Sequence, residues 1–280
     1  MKKPVAVLII ILTSATIAYA QDFSKDRERP TEISAPRDSL VEGERLEYSV
    51  EWLGIPIGII ILKVEGIESI NGRPCYHISA KAAPNKFFRN FYDIEYNVHS
   101  YLDCQKLISR RFEKIKRIKT NLVYVTAEFN PESKEAKYTY YSPGGPLESI
   151  EFPSLKKGVV SDMQETIATA GEAQDLLSSL YYFRLSKIAL NQECTMQIIY
   201  ERKSWKLSMR AEKLFWKDIY KKGNFALMQV SPDSDLNDRV LGKRKVYAAF
   251  TTDSRRIPVE FKLHSNAGFI RGIIKDLSHN

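Results

Sequence analysis

Few residues of this chain have the type and spacing that chemistry asks for. His77 follows Cys75 by two residues in CYHISAKA, whose alternation predicts a strand, so thiol and imidazole share one face. Two soft ligands with no local third do not define a metal site, and strand packing around a satisfied imidazole accounts for the pair better. Glu47 and Glu51 also share a face, but four residues along a strand separate their Cα atoms by roughly 13 Å, which is long for an acid and base acting on one bond. A solvated face explains them better. The chain has four histidines, His77, His99, His264 and His279, and no histidine or cysteine cluster has zinc-site spacing. Neither G-x-S-x-G, H-E-x-x-H, a phosphate loop nor a dinucleotide fingerprint is present. The expectation is a non-enzymatic protein with no catalytic residue, no metal and no cofactor. An enzyme whose residues converge from distant strands stands third among the readings.

Three other stretches bear on binding. Asn85 to Asp93, NKFFRNFYD, carries Phe87, Phe88, Phe91 and Tyr92 without strand alternation and reads as a helical turn or bulky loop. With Trp52 these aromatics are the candidate lining of an apolar site, although ordinary core packing explains each one singly. Arg110, Arg111, Lys114, Lys116, Arg117 and Lys119 form the densest basic run. As a strand it divides its charges between two faces and reads as an exposed edge guarded against aggregation. Contact with anionic lipid or lipopolysaccharide is the alternative, and no nucleic-acid recognition fold is visible. In TTDSRRIP, Asp253 is expected to accept backbone hydrogen bonds in a turn and Pro258 to limit ladder pairing. Arg256 reads as architecture there, with pairing to an internal carboxylate as a variant and a ligand clamp as a further candidate.

The elements that must position these residues are mostly strands around one helix. Leu176, Leu177, Leu180, Tyr181 and Leu185 fall on one face of EAQDLLSSLYYFRL (172–185), with Gln174, Ser178 and Ser179 largely opposite, which predicts a helix with one buried stripe. Asp175 and Arg184 suit its positive and negative ends. Alternation from Arg45 to Trp52, an apolar run from Ile59 to Val64, the Asn71-Gly72 turn and CYHISAKA predict three antiparallel strands. Continued alternation raises the count to roughly a dozen. Residues 142–173, with Pro143-Gly144-Gly145-Pro146, Pro153 and Gly158, read as irregular, either a lid or a tolerated insertion. So many consecutive strands predict a mainly β fold. We expect a large curled antiparallel sheet, a half-barrel or open barrel, packed on one principal α-helix, with the helix and the irregular segment closing one mouth.

At the N-terminus, Lys2 and Lys3, an apolar run from Val5 to Leu12 and Ala18-Tyr19-Ala20 predict a secretory signal peptide cleaved after Ala20. The run is far shorter than the roughly 20 residues of a spanning helix, and no later run reaches that length. Residues 21–40 are polar and proline-broken and read as a flexible leader, leaving 41–280 as a single β-rich domain. Cleavage removes two lysines from a chain of net charge +8, and the mild basic excess suits an anionic envelope surface. Cys75, Cys104 and Cys194 are odd in number, so at least one is unpaired within the monomer. Small hydrophobes in strands or turns is the leading reading, and a bridge from Cys75 to Cys104 the other.

GERLEYSVEWLGIPIG (43–58), DLLSSLYYFR (175–184) and TTDSRRIPVEF (251–261) together resemble an exported bacterial family catalogued as domain of unknown function 3108, over about Val41 to Leu277. The resemblance implies a β-rich envelope protein of Gram-negative-type bacteria, in the periplasm or outer envelope, and supplies no activity. It also implies a fold similar in outline to half-barrels that carry lipoproteins or lipids, an analogy of fold alone. Two functional readings follow. The first is a binding or carrier module for an apolar or amphiphilic ligand such as a lipid, with Trp52, Phe87, Phe88, Phe91, Tyr92 and Arg256 as candidate contacts. The second is a structural or assembly component of the envelope, acting through protein contacts.

Overall fold

A computed structural model describes residues 32–119, 121–143, 159–219, 223–234, 246–265 and 268–278. The first half of the chain supplies β1 (Arg45–Trp52), β2 (Ile55–Ile70), β3 (Arg73–Pro84), β4 (Ile94–Asp103), β5 (Ser109–Ile118), β6 (Asn121–Asn130), β7 (Glu135–Pro143) and β8 (Val159–Ala168). Each pairs antiparallel with the next. The second half supplies β9 (Ala173–Gln174), β10 (Glu193–Tyr200), β11 (Lys203–Ile219), β12 (Gly223–Ser234), β13 (Val246–Thr251), β14 (Pro258–Ser265) and β15 (Gly268–Ser278). Among the described residues only β9 and β10 pair in parallel. β1 and β15 then pair from Arg45↔Ser278 to Trp52↔Ile270. All fifteen strands therefore form one open sheet, with the first and last strands at its middle and β8 and β9 at its edges.

Alternation decides the inner face. Leu46, Tyr48 and Val50 on β1 register with Ile60 and Leu62 on β2, then with Ala80 and Ala82 on β3, and all are buried. Gly272 lets the fold draw tight, since a Cβ there would come within 1.8 Å of the Phe261 ring on the neighbouring strand. The sheet curls far enough for distant strands to touch across the interior. Lys114 Nζ on β5 lies 2.8 Å from Glu201 Oε1 in the β10–β11 turn, and Arg202 lies 3.5 Å from Glu165 on β8.

The first helix, α1 (Lys86–Arg89), is a single turn within the predicted aromatic segment. The principal helix, α2 (Leu176–Leu185), spans about 15 Å. Asp175 is its N-cap, accepting from Leu177 N at 2.8 Å and Ser178 N at 2.9 Å, while Ser178 Oγ accepts from Asp175 N at 2.9 Å. This capping box starts the helix later than predicted, and Ala173–Gln174 pairs with β10 instead. The helix also lacks the expected polar outer face. Gln174, Ser178, Ser179 and Arg184 are buried with the leucines, because α2 lies across one end of the curl and is enclosed on several sides.

Each end of α2 is fixed by a buried polar contact. At its N-terminus the Asp175 carboxylate accepts from Ser100 Oγ on β4 and Ser109 Oγ on β5, both at 2.7 Å. At its C-terminus Arg184 meets Glu44, just ahead of β1, through bonds of 2.6 and 2.8 Å. Tyr181 packs beneath that guanidinium at 4.9 Å.

Three further expectations are corrected. The basic run lies on β5, between β4 and β6, so it is not an edge strand. Its charges are accommodated by outward ion pairs, Arg111 with Glu128 and Arg117 with Asp93, and by inward lysines. The irregular stretch at 142–173 includes a ten-residue strand, β8, which alternation alone did not reveal. The rest of the expected lid, 144–158, lies outside the described residues, as do the signal peptide and the leader up to residue 31. Residues 32–40 are not a loose leader: Ser34 N and Arg37 N donate to Thr252 O and Ser254 O at 2.8 and 3.0 Å. Cys75, Cys104 and Cys194 are free thiols, and burial pushes Cys75 up to about 11.

Candidate functional site

The two ends of the curled sheet differ in character. At the end opposite α2, β1 turns into β2 through Leu53 and Gly54, both at positive φ, and Leu53 N donates to Phe269 O at 3.1 Å. The turn presents Trp52, Leu53 and Ile55 with 40%, 52% and 56% of their surface exposed. At the same end Asn85 fixes α1 to β2, donating from its backbone N to Ile57 O at 2.9 Å and from Nδ2 to Pro56 O at 2.6 Å. Asn85 also caps α1 by accepting from Phe88 N at 2.9 Å. Phe88 is thereby held half-buried against Phe87, with ring centroids 5.3 Å apart. Phe87 and Phe91 are left 65% and 64% exposed, and Tyr92 is exposed beside them. Exposed Lys86 and Arg89 add positive charge to the same turn.

The aromatics singled out from sequence therefore gather at one end, but as an exposed rim rather than a lining beneath the helix. Lone exposed apolar residues are ordinary; a group of large ones carried on anchored backbone marks a contact surface. Arg256 is separate from them. It is buried beside the C-terminus of α2, where its guanidinium donates to Ser186 O and, at 3.4 Å, to Ser34 O. Its partners are carbonyls and not the carboxylate foreseen as a variant. Asp253 behaves as expected, accepting from Arg255 N at 3.2 Å and Thr251 Oγ1 at 2.7 Å.

Behind the rim the inner face carries two lysines among apolar residues. On β5, Phe112, Lys114 and Lys116 share the inward side, opposite Ser100, Val98 and Tyr96 of β4. Lys114 is buried, Lys116 half-buried, and the Lys116 ammonium lies 5.7 Å from the Tyr96 ring centroid. Burial, then the nearby Lys114 charge, holds Lys116 below the usual lysine range. Burial works to raise Glu201, but the two lysines outweigh it and hold that carboxyl below its ordinary value. Val123 on β6 registers with Lys116 and Met163 on β8 with Tyr140, and both remain exposed although they face inward. Water therefore reaches the interior at this end. The parity of Lys114 and Lys116 with Phe112 was the sequence signal for this placement.

The outer face carries a separate network. Glu68, His77 and His99 form a chain of 2.6 Å contacts, with Tyr101 stacked on His77 at 4.7 Å. Cys75 is not part of it; its thiol contacts Arg73 O. Among the described residues no group of three His, Cys, Asp or Glu side chains is placed to hold a metal ion. A cleft of about 460 Å³ opens at the helix end, between the β2–β3 and β6–β7 hairpins. Arg73, Arg110, Glu128, Glu132 and Lys137 line it with both signs of charge. None of the described helices is long and apolar enough to cross a membrane.

Comparison with solved structures finds likenesses at low identity. A β-barrel-like protein of domain of unknown function DUF1849 from Brucella abortus is 8% identical, with a TM-score of 0.46 over 86% of this chain and 99% of the other. A Bacteroides fragilis protein described as exported, with a YmcC-like fold, is 7% identical, with a TM-score of 0.35 over 89% of this chain and 100% of its own. A Parabacteroides distasonis protein described as a lipoprotein is 8% identical, with a TM-score of 0.33 over 89% and 100%. No curated protein matches the chain. Residues 47–275 match the family described as protein of unknown function (DUF3108), and the chain belongs to that family.

Proposed function

We propose that this protein is an exported, non-enzymatic binding or carrier module of the bacterial envelope that takes up an apolar or amphiphilic ligand at the aromatic end of its curled sheet. The observation that carries the reading is the rim of Trp52, Leu53, Ile55, Phe87, Phe91 and Tyr92, exposed on backbone that Asn85 and the β1–β2 turn hold in place. Mouths of curled sheets are common ligand sites, and aromatic side chains supply large contact area there. Export rests on the Lys2-Lys3 start, the apolar run and the Ala-x-Ala exit. N-terminal sequencing of envelope-extracted protein should begin at Gln21.

Purified protein should bind a fluorescent fatty acid saturably, and Phe87→Ser, Phe88→Ser and Phe91→Ser together should weaken binding at least tenfold. That corresponds to about 1.4 kcal/mol or more. Absence of saturable binding to every envelope lipid tried would sink the reading. One observation favours the structural alternative: Tyr48, Tyr138, Tyr181 and Phe183 fill the interior with almost no exposed surface. Under that reading the rim docks a protein, and native mass spectrometry of protein from its own envelope would show a protein adduct without lipid.

A further inference from the structure

Resting on that binding reading, we infer that the ligand is an amphiphile with an anionic head, a carboxylate or phosphate, and that the head is seated inside the aromatic mouth on Lys116 beside the Lys114–Glu201 pair. The argument starts from charge. Two ammonium groups on the inner face of β5 are answered by one carboxylate, and Lys114 takes it at 2.8 Å. Among the described residues no carboxylate lies within ion-pair distance of Lys116, whose ammonium faces the Tyr96 ring instead. A half-buried ammonium that lies over an aromatic face, near Glu201 but not paired with it, has lost much of its hydration without gaining an ion pair. An anion arriving there gains a charge-assisted hydrogen bond at a site the protein has already partly desolvated.

Access and chemistry agree with this placement. Lys116 sits two residues from the end of β5, at the end of the sheet that carries the aromatic rim. Val123, its cross-strand partner on β6, is exposed although it faces inward, so a head group can reach the ammonium through solvent. The rim provides what an acyl chain needs and the lysine what its head needs, within one opening. Of the other cations of this strand, Arg111 and Arg117 face outward and are engaged by Glu128 and by Asp93 and Glu95, and Arg110, near the helix end, is engaged by Asp103 at 2.9 Å. They do not compete for the head.

The test uses the full mature chain with three probes: dansyl-undecanoic acid, its methyl ester, and inorganic phosphate. The acid should bind at least tenfold more tightly than the ester, and Lys116→Met should bring the acid down to the ester's affinity while leaving the ester unchanged. Phosphate alone at millimolar concentration should not displace the acid; displacement would show a site for free anions and overturn the amphiphile. Equal binding of acid and ester, unchanged in Lys116→Met, would overturn the anionic-head assignment while leaving the carrier reading intact. Failure of both dansyl probes would remove both. Should Lys116→Met not fold, reductive ¹³C-methylation of the wild-type lysines supplies the second measurement. The Lys116 resonance should move on titration with acid and not with ester, and a resonance that stays still while the acid saturates refutes the seat.

Discussion

His77 Nε2 and His99 Nδ1 face one another at 2.6 Å across β3 and β4 on the outer surface of the sheet. That gap holds one proton, so both rings cannot carry a proton there at once. Burial, then the charge on His77, holds His99 down at about 4 against an ordinary value of 6.5. The unfolded chain therefore binds more protons than the folded one between those values. Stability contributed by neutral His99 is present above about pH 6.5 and is lost as pH falls toward 4, by on the order of 2 to 3 kcal/mol. Urea unfolding at pH 7.0 and 4.5 should show the loss in the wild type and a clearly smaller one in His99→Gln. Equal slopes would remove His99 as the titrating group.

Glu44→Ala should destabilise the fold by about 3 to 5 kcal/mol, because it leaves Arg184 buried without its bidentate partner. Replacing both residues by methionine should recover much of that loss, since removing both charges also removes the desolvation they carried. A double variant no more stable than Glu44→Ala would show that packing around the pair, rather than the orphaned charge, sets the cost.

Asp175→Ala should cost about 2 to 4 kcal/mol. It removes the N-cap of α2 and strands the hydroxyl donors of Ser100 and Ser109, all within the interior. Calorimetry would register the change, and a shift of less than 1 kcal/mol would mean the serines find other acceptors.

Leu180→Asp places a carboxylate on a helix position that is 4% exposed. Lost packing and an unpaired polar group together should cost about 3 to 5 kcal/mol. An unchanged melting temperature would contradict the enclosure of α2.

Phe87→Ser with Phe91→Ser should behave oppositely, leaving stability within about 0.5 kcal/mol because both rings are mostly in water. The same double variant should lose affinity for the fluorescent fatty acid. Large destabilisation would show that the rim supports the fold rather than presenting a contact surface.

Strand identity was legible because alternation is local: Leu46, Tyr48 and Val50 declare a buried face without reference to any other strand. Asn71-Gly72 declared its turn for the same reason, both residues lying at positive φ. Partner choice was not legible in the same way. Nothing near Glu44 indicates Arg184, 140 residues away, and nothing in the basic run states that β5 has a neighbour on each side. The aromatic segment showed its composition but not its exposure, because four large apolar residues read the same in a core and on a rim. Burial of Ser178 and Ser179 escaped the helix pattern because a hydroxyl that can bond to its own helix, as Ser179 does to Leu176 O at 2.8 Å, can be enclosed at little cost.

The pairing of β1 with β15 has a consequence for how the molecule is assembled. The register Arg45↔Ser278 joins nearly opposite ends of the described chain, while the unjoined edges, β8 and β9, are close in sequence. Each half can zip up as successive hairpins while it emerges, but the seam between halves must wait for the last strand. A chain delivered from its N-terminus thus holds β1 unpaired on one side throughout delivery, and loop closure over so long a separation makes this pairing the slow step. A truncation that removes β15 alone would leave two sheets, each with a long apolar edge, and would convert a folding intermediate into a lasting one.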